Sequence, residues 1–116
     1  MDVLKNQKTD FKEIIYEKSN WVARITINRP QVYNSYSTNA LEELATAFRQ
    51  AAFDDEVAVI VYTGMGDKAF CTGGDVKEYQ ERYTRSPHDY WKYMRLFGAY
   101  IESIVNTGKP VVARIN

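Results

Sequence analysis

Residues Ala69-Phe70-Cys71-Thr72-Gly73-Gly74-Asp75 carry the clearest chemical pattern in the chain: a short apolar entry, two glycines, and an acidic residue able to open a helix. Paired glycines at a strand-to-helix corner bring a bare backbone N–H close to a ligand with no side chain in the way. The helix N-terminus behind them favours negative charge at that point. Such a donor, aimed at a developing oxyanion, is one half of an oxyanion hole. A plain tight turn ahead of a helix uses the same residue types, so the pattern alone leaves both readings open.

Other chemistries find little support. Cys71 and His88 are the only Cys and His, too few for a structural zinc site, and no metal centre is expected. His88 lies in Ser86-Pro87-His88-Asp89, a helix start, where a histidine reads as a solvated polar residue rather than a base. Cys71 has no base near it in sequence and reads as a small apolar residue packed in a strand. Gly64-Met65-Gly66 lacks the third glycine, the Lys-Ser/Thr pair and the following helix that a nucleotide loop needs.

With 116 residues the chain fills one domain or part of one. Fifteen basic residues balance 15 acidic ones, without a basic stripe, which argues against nucleic acid as a partner. Met1 to Asp10 is polar, so neither a signal peptide nor a membrane span is expected there. A lone cysteine excludes an internal disulfide and fits a reducing, cytoplasmic compartment.

The elements that must position the glycine corner follow from periodicity. Ile14-Ile15-Tyr16 and Val22 to Ile27 flank Ser19-Asn20 and read as an antiparallel hairpin, with Ala23, Ile25 and Ile27 on one face, ended by Arg29-Pro30. After a loop, Ser37 or Thr38 caps a helix whose stripe is Leu41, Leu44, Phe48 and Ala51, with Glu42 and Glu43 on the polar side. Val57 to Tyr62 reads as a strand buried on both faces, followed by a loop over 63–67. Asp75 to Glu81 forms a short helix, with Asp75 at the positive end of its dipole. A longer helix runs from Ser86 to about Val105, with Tyr90, Met94, Phe97, Ile101 and Ile104 as its buried stripe. Val111 to Ile115 begins another apolar strand, which points to an N-terminal piece of a larger domain or to docking on another chain. The aromatics Tyr79, Tyr83, Tyr90, Trp91, Tyr93, Phe97 and Tyr100 either pack helices on the sheet or line a pocket for a flat or cyclic substrate; spacing does not separate the two.

Five ordered blocks carry a family resemblance: Ile25-Thr26-Ile27-Asn28-Arg29-Pro30, Asn34-Ser35-Tyr36, Val59 to Gly64, Asp67 to Asp75, and Lys109-Pro110-Val111-Val112-Ala113. Together they resemble the enoyl-CoA hydratase/isomerase, or crotonase, superfamily, over roughly the first half of a normal member. The resemblance implies an α/β fold, the N-terminal turns of a ββα spiral spanning residues 1–116, in a protein assembled as homo-trimers or hexamers. It implies an acyl-CoA thioester as partner, with coenzyme A entering as part of the substrate and no separate cofactor.

By the same matching, the catalytic donor is the Gly74 N–H. Ser35 and Thr72 fall where the family contacts the CoA adenine region, and Gly73, Asp75, Val76 and Lys77 belong to the binding loop, with Lys77 placed to approach a CoA phosphate. Gln31 stands where many members carry a basic CoA-binding residue. The second oxyanion donor and the acid/base carboxylates fall beyond Asn116, so the isolated chain is expected to be inactive. Cys71 to Asp75, Lys77-Glu78-Tyr79 and Tyr93 to Phe97 are similar to the ring-opening oxocyclohexenecarbonyl-CoA hydrolases of anaerobic aromatic degradation. Arg29 to Val32 and Phe70 to Asp75 are also similar to the ring-closing dihydroxynaphthoyl-CoA synthases, and a non-catalytic interaction module stays open beside both.

Overall fold

Ile14–Ser19 (β1) and Val22–Ile27 (β2) pair antiparallel, from Ile14 opposite Ile27 to Ser19 opposite Val22, in a computed structural model that describes residues 7–116. The first six residues of the polar start read above lie outside the described residues. The turn is centred one residue later than Ser19-Asn20: Asn20 and Trp21, at φ 50° and 68°, take the two left-handed positions of a two-residue hairpin turn. Ala23, Ile25 and Ile27 share one face and are fully buried, as alternation requires.

Helix α1 (Thr38–Phe53) returns the chain across that face and leads into β3 (Val59–Gly64), which lies parallel to β2. Ser37 is its N-cap, its hydroxyl accepting from the Ala40 N–H at 3.0 Å. Leu41, Leu44, Phe48 and Ala51 are fully buried against Ala23, Ile25, Ile27 and Ile60, each large side chain contributing on the order of 1.5–3 kcal/mol. At the far end Lys109 donates to the carbonyls of Ala51 and Asp54, both at 2.7 Å, so a cation closes a helix terminus that would otherwise leave these acceptors open.

Glu43 departs from the sequence reading. It is buried rather than on the polar face, because the segment ahead of β1 crosses over it and its carboxylate accepts from the N–H groups of Lys12 and Glu13, both at 2.7 Å. β3 also differs: it starts two residues later than read and keeps Thr63 and Gly64 inside the strand. Ile60 and Tyr62 are buried under the helices, whereas Val59 and Val61 on the opposite face are only half-buried, since no helix among the described residues covers that side.

Beyond the glycine corner, Val76–Glu78 forms a single helical turn (α2) that widens into a π turn over Tyr79–Tyr83, longer than the Asp75–Glu81 helix expected. Helix α3 (Pro87–Val105) then packs against α1, and β4 (Val111–Arg114) adds a fourth strand parallel to β3, giving the order β1-β2-β3-β4. The buried face of α3 is rotated from the expected stripe. Tyr93 and Tyr100 are buried, Phe97 and Ile104 pack partly against the core, and Tyr90, Met94 and Ile101 remain exposed. Position 93 wins over 94 because its hydroxyl reaches Tyr79, and Tyr100 turns inward to share a 2.8 Å hydrogen bond with Tyr62. No helix among the described residues is long and apolar enough to cross a membrane.

Replacing Glu43 by Ala strands two backbone donors, and we expect a loss of about 1–3 kcal/mol in urea unfolding, against no measurable loss for the exposed neighbour Glu42→Ala. Equal effects of the two substitutions would refute the structural role of Glu43.

Candidate active site at the glycine corner

The corner is assembled from the loop after β2 and the loop after β3. Past Ile27 the chain makes one 3₁₀ turn (Pro30–Val32) and then places Tyr33 and Asn34 in the left-handed region, at φ 54° and 57°. Asparagine tolerates that conformation, and here it gains from it. The amide of Asn34, 1% exposed, accepts from the Arg29 N–H at 3.0 Å and donates to the carbonyls of Met65 and Ala69 at 3.0 and 2.8 Å. One buried side chain thus ties three backbone segments together. Gly64, at the end of β3, has to be glycine for this: a Cβ there would overlap the Phe70 carbonyl and lie 2.8 Å from the Asn34 amide nitrogen.

Tyr36 follows two residues later and reaches the glycines through its backbone. Its N–H donates to the Gly73 carbonyl at 2.9 Å, and its carbonyl accepts from the Asp75 N–H at 3.0 Å, a single rung of parallel pairing that brackets Gly74. In such a rung the bracketed residue's own N–H points away from the pair. Among the described residues the Gly74 N–H has no acceptor. Gly73 adopts φ 106°, which only glycine takes without strain. Gly74 is required for a different reason, since a Cβ would overlap the hydroxyl and ring of Tyr79.

Asp75 caps α2, its carboxylate accepting from the Glu78 N–H at 3.2 Å and pairing with Arg29 at 3.0 Å. Arg29 also donates to the Ser35 carbonyl at 2.5 Å and pairs with Glu13 at 3.2 Å. Partial burial would raise the Asp75 pKa, but Arg29 and the N–H groups of Glu78 and Lys77 outweigh it and hold the carboxyl below its usual range. The short helix therefore spends its first N–H groups on Asp75, and the bare donor at the corner is that of Gly74.

Beside Gly74 stands the Tyr79 hydroxyl, hydrogen-bonded to that of Tyr93; the hydroxyls of Thr38 and Tyr83 are hydrogen-bonded to each other. Burial pushes Tyr36 up to about 12 and raises Tyr93 further, so both remain protonated donors at neutral pH. Tyr79, Tyr83, Thr84, Tyr90, Tyr93 and Met94 line an open cavity of about 350 Å³. Of the aromatic crowd, Tyr83, Tyr93 and Tyr100 are core and Tyr79 and Phe97 pack partly against it, while Tyr90 and Trp91 are exposed.

Of the residues singled out in sequence, Gly73, Gly74 and Asp75 meet at the corner, and Ser35 joins them through Arg29. Thr72 is exposed and donates to the Tyr33 carbonyl at 3.2 Å. Val76 and Lys77 are exposed on the first turn of α2. Gln31 lines a separate cavity of about 300 Å³ with Tyr33, Asp67 and Lys68. Cys71 lies in the loop ahead of the glycines rather than in a strand; burial raises its pKa, so it stays a thiol. His88 sits on the surface at the start of α3, stacked on Trp91 with ring centroids 5.7 Å apart. Sequence reasoning missed Tyr36, because its contribution is made by backbone atoms, and the Arg29–Asp75 pair, because 46 residues separate the partners.

Comparison with known proteins identifies relatives of the chain. The family model for enoyl-CoA hydratase/isomerase matches residues 17–116. The chain is 46% identical over 94 residues to a 6-oxocyclohex-1-ene-1-carbonyl-CoA hydrolase of Geobacter metallireducens, an overlap of 81% of this chain and 25% of that protein. It is 47% identical over 92 residues to the enzyme of the same name from Thauera aromatica, covering 79% and 24%. Among solved structures, an enoyl-CoA hydratase/carnithine racemase of Magnetospirillum magneticum superposes with a TM-score of 0.84 at 25% identity, over 90% of this chain and 39% of that one. The chain spans about a quarter of the length of the curated relatives it matches.

Because the folded Asp75 carboxyl titrates below its ordinary 3.8, its contribution to stability is complete above that value and is lost as pH falls through the lower folded one. Asp75→Asn should cost about 1.5–3 kcal/mol at pH 7 and should flatten the acid limb of the stability curve. Urea unfolding between pH 2 and 7 reads both, and parallel curves for variant and wild type would refute the pairing.

Proposed function

The chain belongs to the enoyl-CoA hydratase/isomerase family, and from that premise we propose that the complete protein acts on an acyl-CoA thioester whose carbonyl oxygen accepts from the Gly74 N–H. The observation that carries this reading is the single backbone rung at Tyr36, which fixes Gly74 on both sides while leaving its N–H without an acceptor among the described residues. A donor held in place before the reaction stabilises charge on the oxygen without reorganisation, which is where such a site gains most of its rate.

The acyl group we propose is cyclic or conjugated, and the reaction hydration or hydrolytic ring opening. Two relatives named as hydrolases of a cyclic oxo-acyl-CoA support this, as does the aromatic-lined cavity of which Tyr79, the neighbour of Gly74, forms part. In a conjugated thioester, a hydrogen bond to the carbonyl oxygen draws electrons from the β-carbon, to which water adds. In a ring carrying a ketone next to the α-carbon, water adds to the ketone and the bond between the two carbons breaks. The electron pair moves into the thioester enolate, whose oxygen the Gly74 N–H holds until the α-carbon takes a proton.

Coenzyme A enters with the substrate and no separate cofactor is needed. We assign Ser35, Thr72, Gly73, Asp75, Val76 and Lys77 to its binding loop. Lys77 is exposed and makes no ion pair among the described residues, so its ammonium is available to a phosphate. A homo-trimer or hexamer in the cytoplasm, where the Cys71 thiol stays reduced, completes the proposal.

Gly74→Ala and Gly74→Pro both crowd Tyr79, but only the proline also removes the N–H. In the complete protein, turnover of the acyl-CoA by the proline variant should fall about 10²–10³-fold below that of the alanine variant. Equal turnover would overturn the donor role.

A further inference from the structure

Tyr79 occupies the space that any side chain at position 74 would fill, so its phenol oxygen lies against the Cα that carries the unpaired N–H. The ring is fixed by its neighbours: it meets Tyr93 edge-on at 5.2 Å and 80°, and packs against Tyr83 at 6.3 Å. Tyr93 is 3% exposed and bonds its hydroxyl to that of Tyr79. Two hydroxyls sharing one hydrogen bond hold two protons, of which the bond uses one. When buried Tyr93 donates, Tyr79 keeps a proton to give away. The π turn over Tyr79–Tyr83 permits this placement, since its wider winding brings Tyr79 and Tyr83 together against Tyr93.

An apolar ring with one oxygen suits this arrangement. The cavity lined by Tyr79, Tyr83, Tyr90, Tyr93 and Met94 offers aromatic and thioether walls, and at about 350 Å³ it has room for a six-membered carbocycle. Its polar lining is the hydroxyls of the tyrosines and of Thr84, and burial keeps that of Tyr93 protonated, able to donate without acting as a base.

We propose that Tyr79 determines specificity for an oxygenated ring: its hydroxyl, oriented by the positioning residue Tyr93, donates a hydrogen bond to a ring carbonyl of the acyl group while the Gly74 N–H holds the thioester oxygen. The inference rests on the acyl-CoA reading above and adds to it the side chain that reads the oxygen on the ring. Tyrosine discriminates here because an acyl ring without the oxygen covers the phenol proton and leaves it without an acceptor, whereas phenylalanine accepts both rings alike.

The test uses the complete protein with cyclohex-1-ene-1-carbonyl-CoA, as a ketone-free inhibitor, and its 6-oxo derivative as substrate. Tyr79→Phe should lower kcat/KM for the 6-oxo compound roughly tenfold and leave the inhibition constant of the ketone-free compound within about twofold. Tyr93→Phe should shift the ratio of the two constants the same way by a smaller factor, which a purely packing role would not do. An unchanged kcat/KM in Tyr79→Phe, or equal losses for both compounds, overturns the proposal. Wild-type protein that binds the ketone-free thioester but does not turn over the ketone overturns it too, while the acyl-CoA reading stands. Wild-type protein that binds neither refutes both.

Discussion

Two backbone hydrogen bonds from Tyr36, one to each side of Gly74, set the constraint that the rest of the corner obeys. A parallel rung uses the N–H and the carbonyl of Tyr36 but spends neither of the corresponding groups of Gly74. The geometry that anchors the loop therefore also leaves a donor unsatisfied. A free N–H in a folded protein has a cost unless water or a ligand meets it, and holding it rigidly makes that cost recoverable on binding.

Keeping the rung in register falls to Asn34 and Arg29. Each crosses from the loop after β2 to a partner more than 30 residues away: Asn34 to the carbonyls of Met65 and Ala69, Arg29 to the carboxylate of Asp75. Hydrogen bonds to charged groups contribute about 1.5–3 kcal/mol each and neutral ones about half that. Against a stability of 5–15 kcal/mol for a whole domain, these few contacts decide whether the two loops meet at all. Their donors and acceptors are partly or wholly buried, which limits screening by solvent and salt.

The tyrosine hydroxyls give the site a second kind of polarity. Backbone N–H groups are fixed in direction by the fold, whereas a phenol proton is directed by whatever its oxygen already bonds. Pairing Tyr79 with Tyr93 removes that freedom without burying a charge, because burial keeps Tyr93 protonated. Elements that seem remote from the corner take part: Glu78 on α2 accepts from the N–H and hydroxyl of Thr38 at 2.9 and 2.6 Å, joining the start of α1 to the turn that carries Tyr79.

Much of this was legible in the chain. The hairpin, α1 with its Leu41, Leu44, Phe48 and Ala51 stripe, the Pro87 start of α3 and the Gly73-Gly74-Asp75 corner are local patterns, governed by periodicity, capping and the steric freedom of glycine. The five ordered blocks resembled the family to which the chain belongs. What sequence misjudged depends on partners distant in the chain. Glu43 reads as surface until the backbone of Lys12 and Glu13 arrives to satisfy it. The inward face of α3 rotates by one residue because Tyr93 and Tyr100 find hydroxyl partners in Tyr79 and Tyr62. The sequence by itself determined that positions 73 and 74 carry no side chain, which a left-handed turn and a close approach of Tyr79 both require. Tertiary structure alone decided that the Gly74 N–H finds no acceptor among the described residues and that a phenol lies against its Cα, because both depend on backbone and hydroxyl groups that meet only when the loops close.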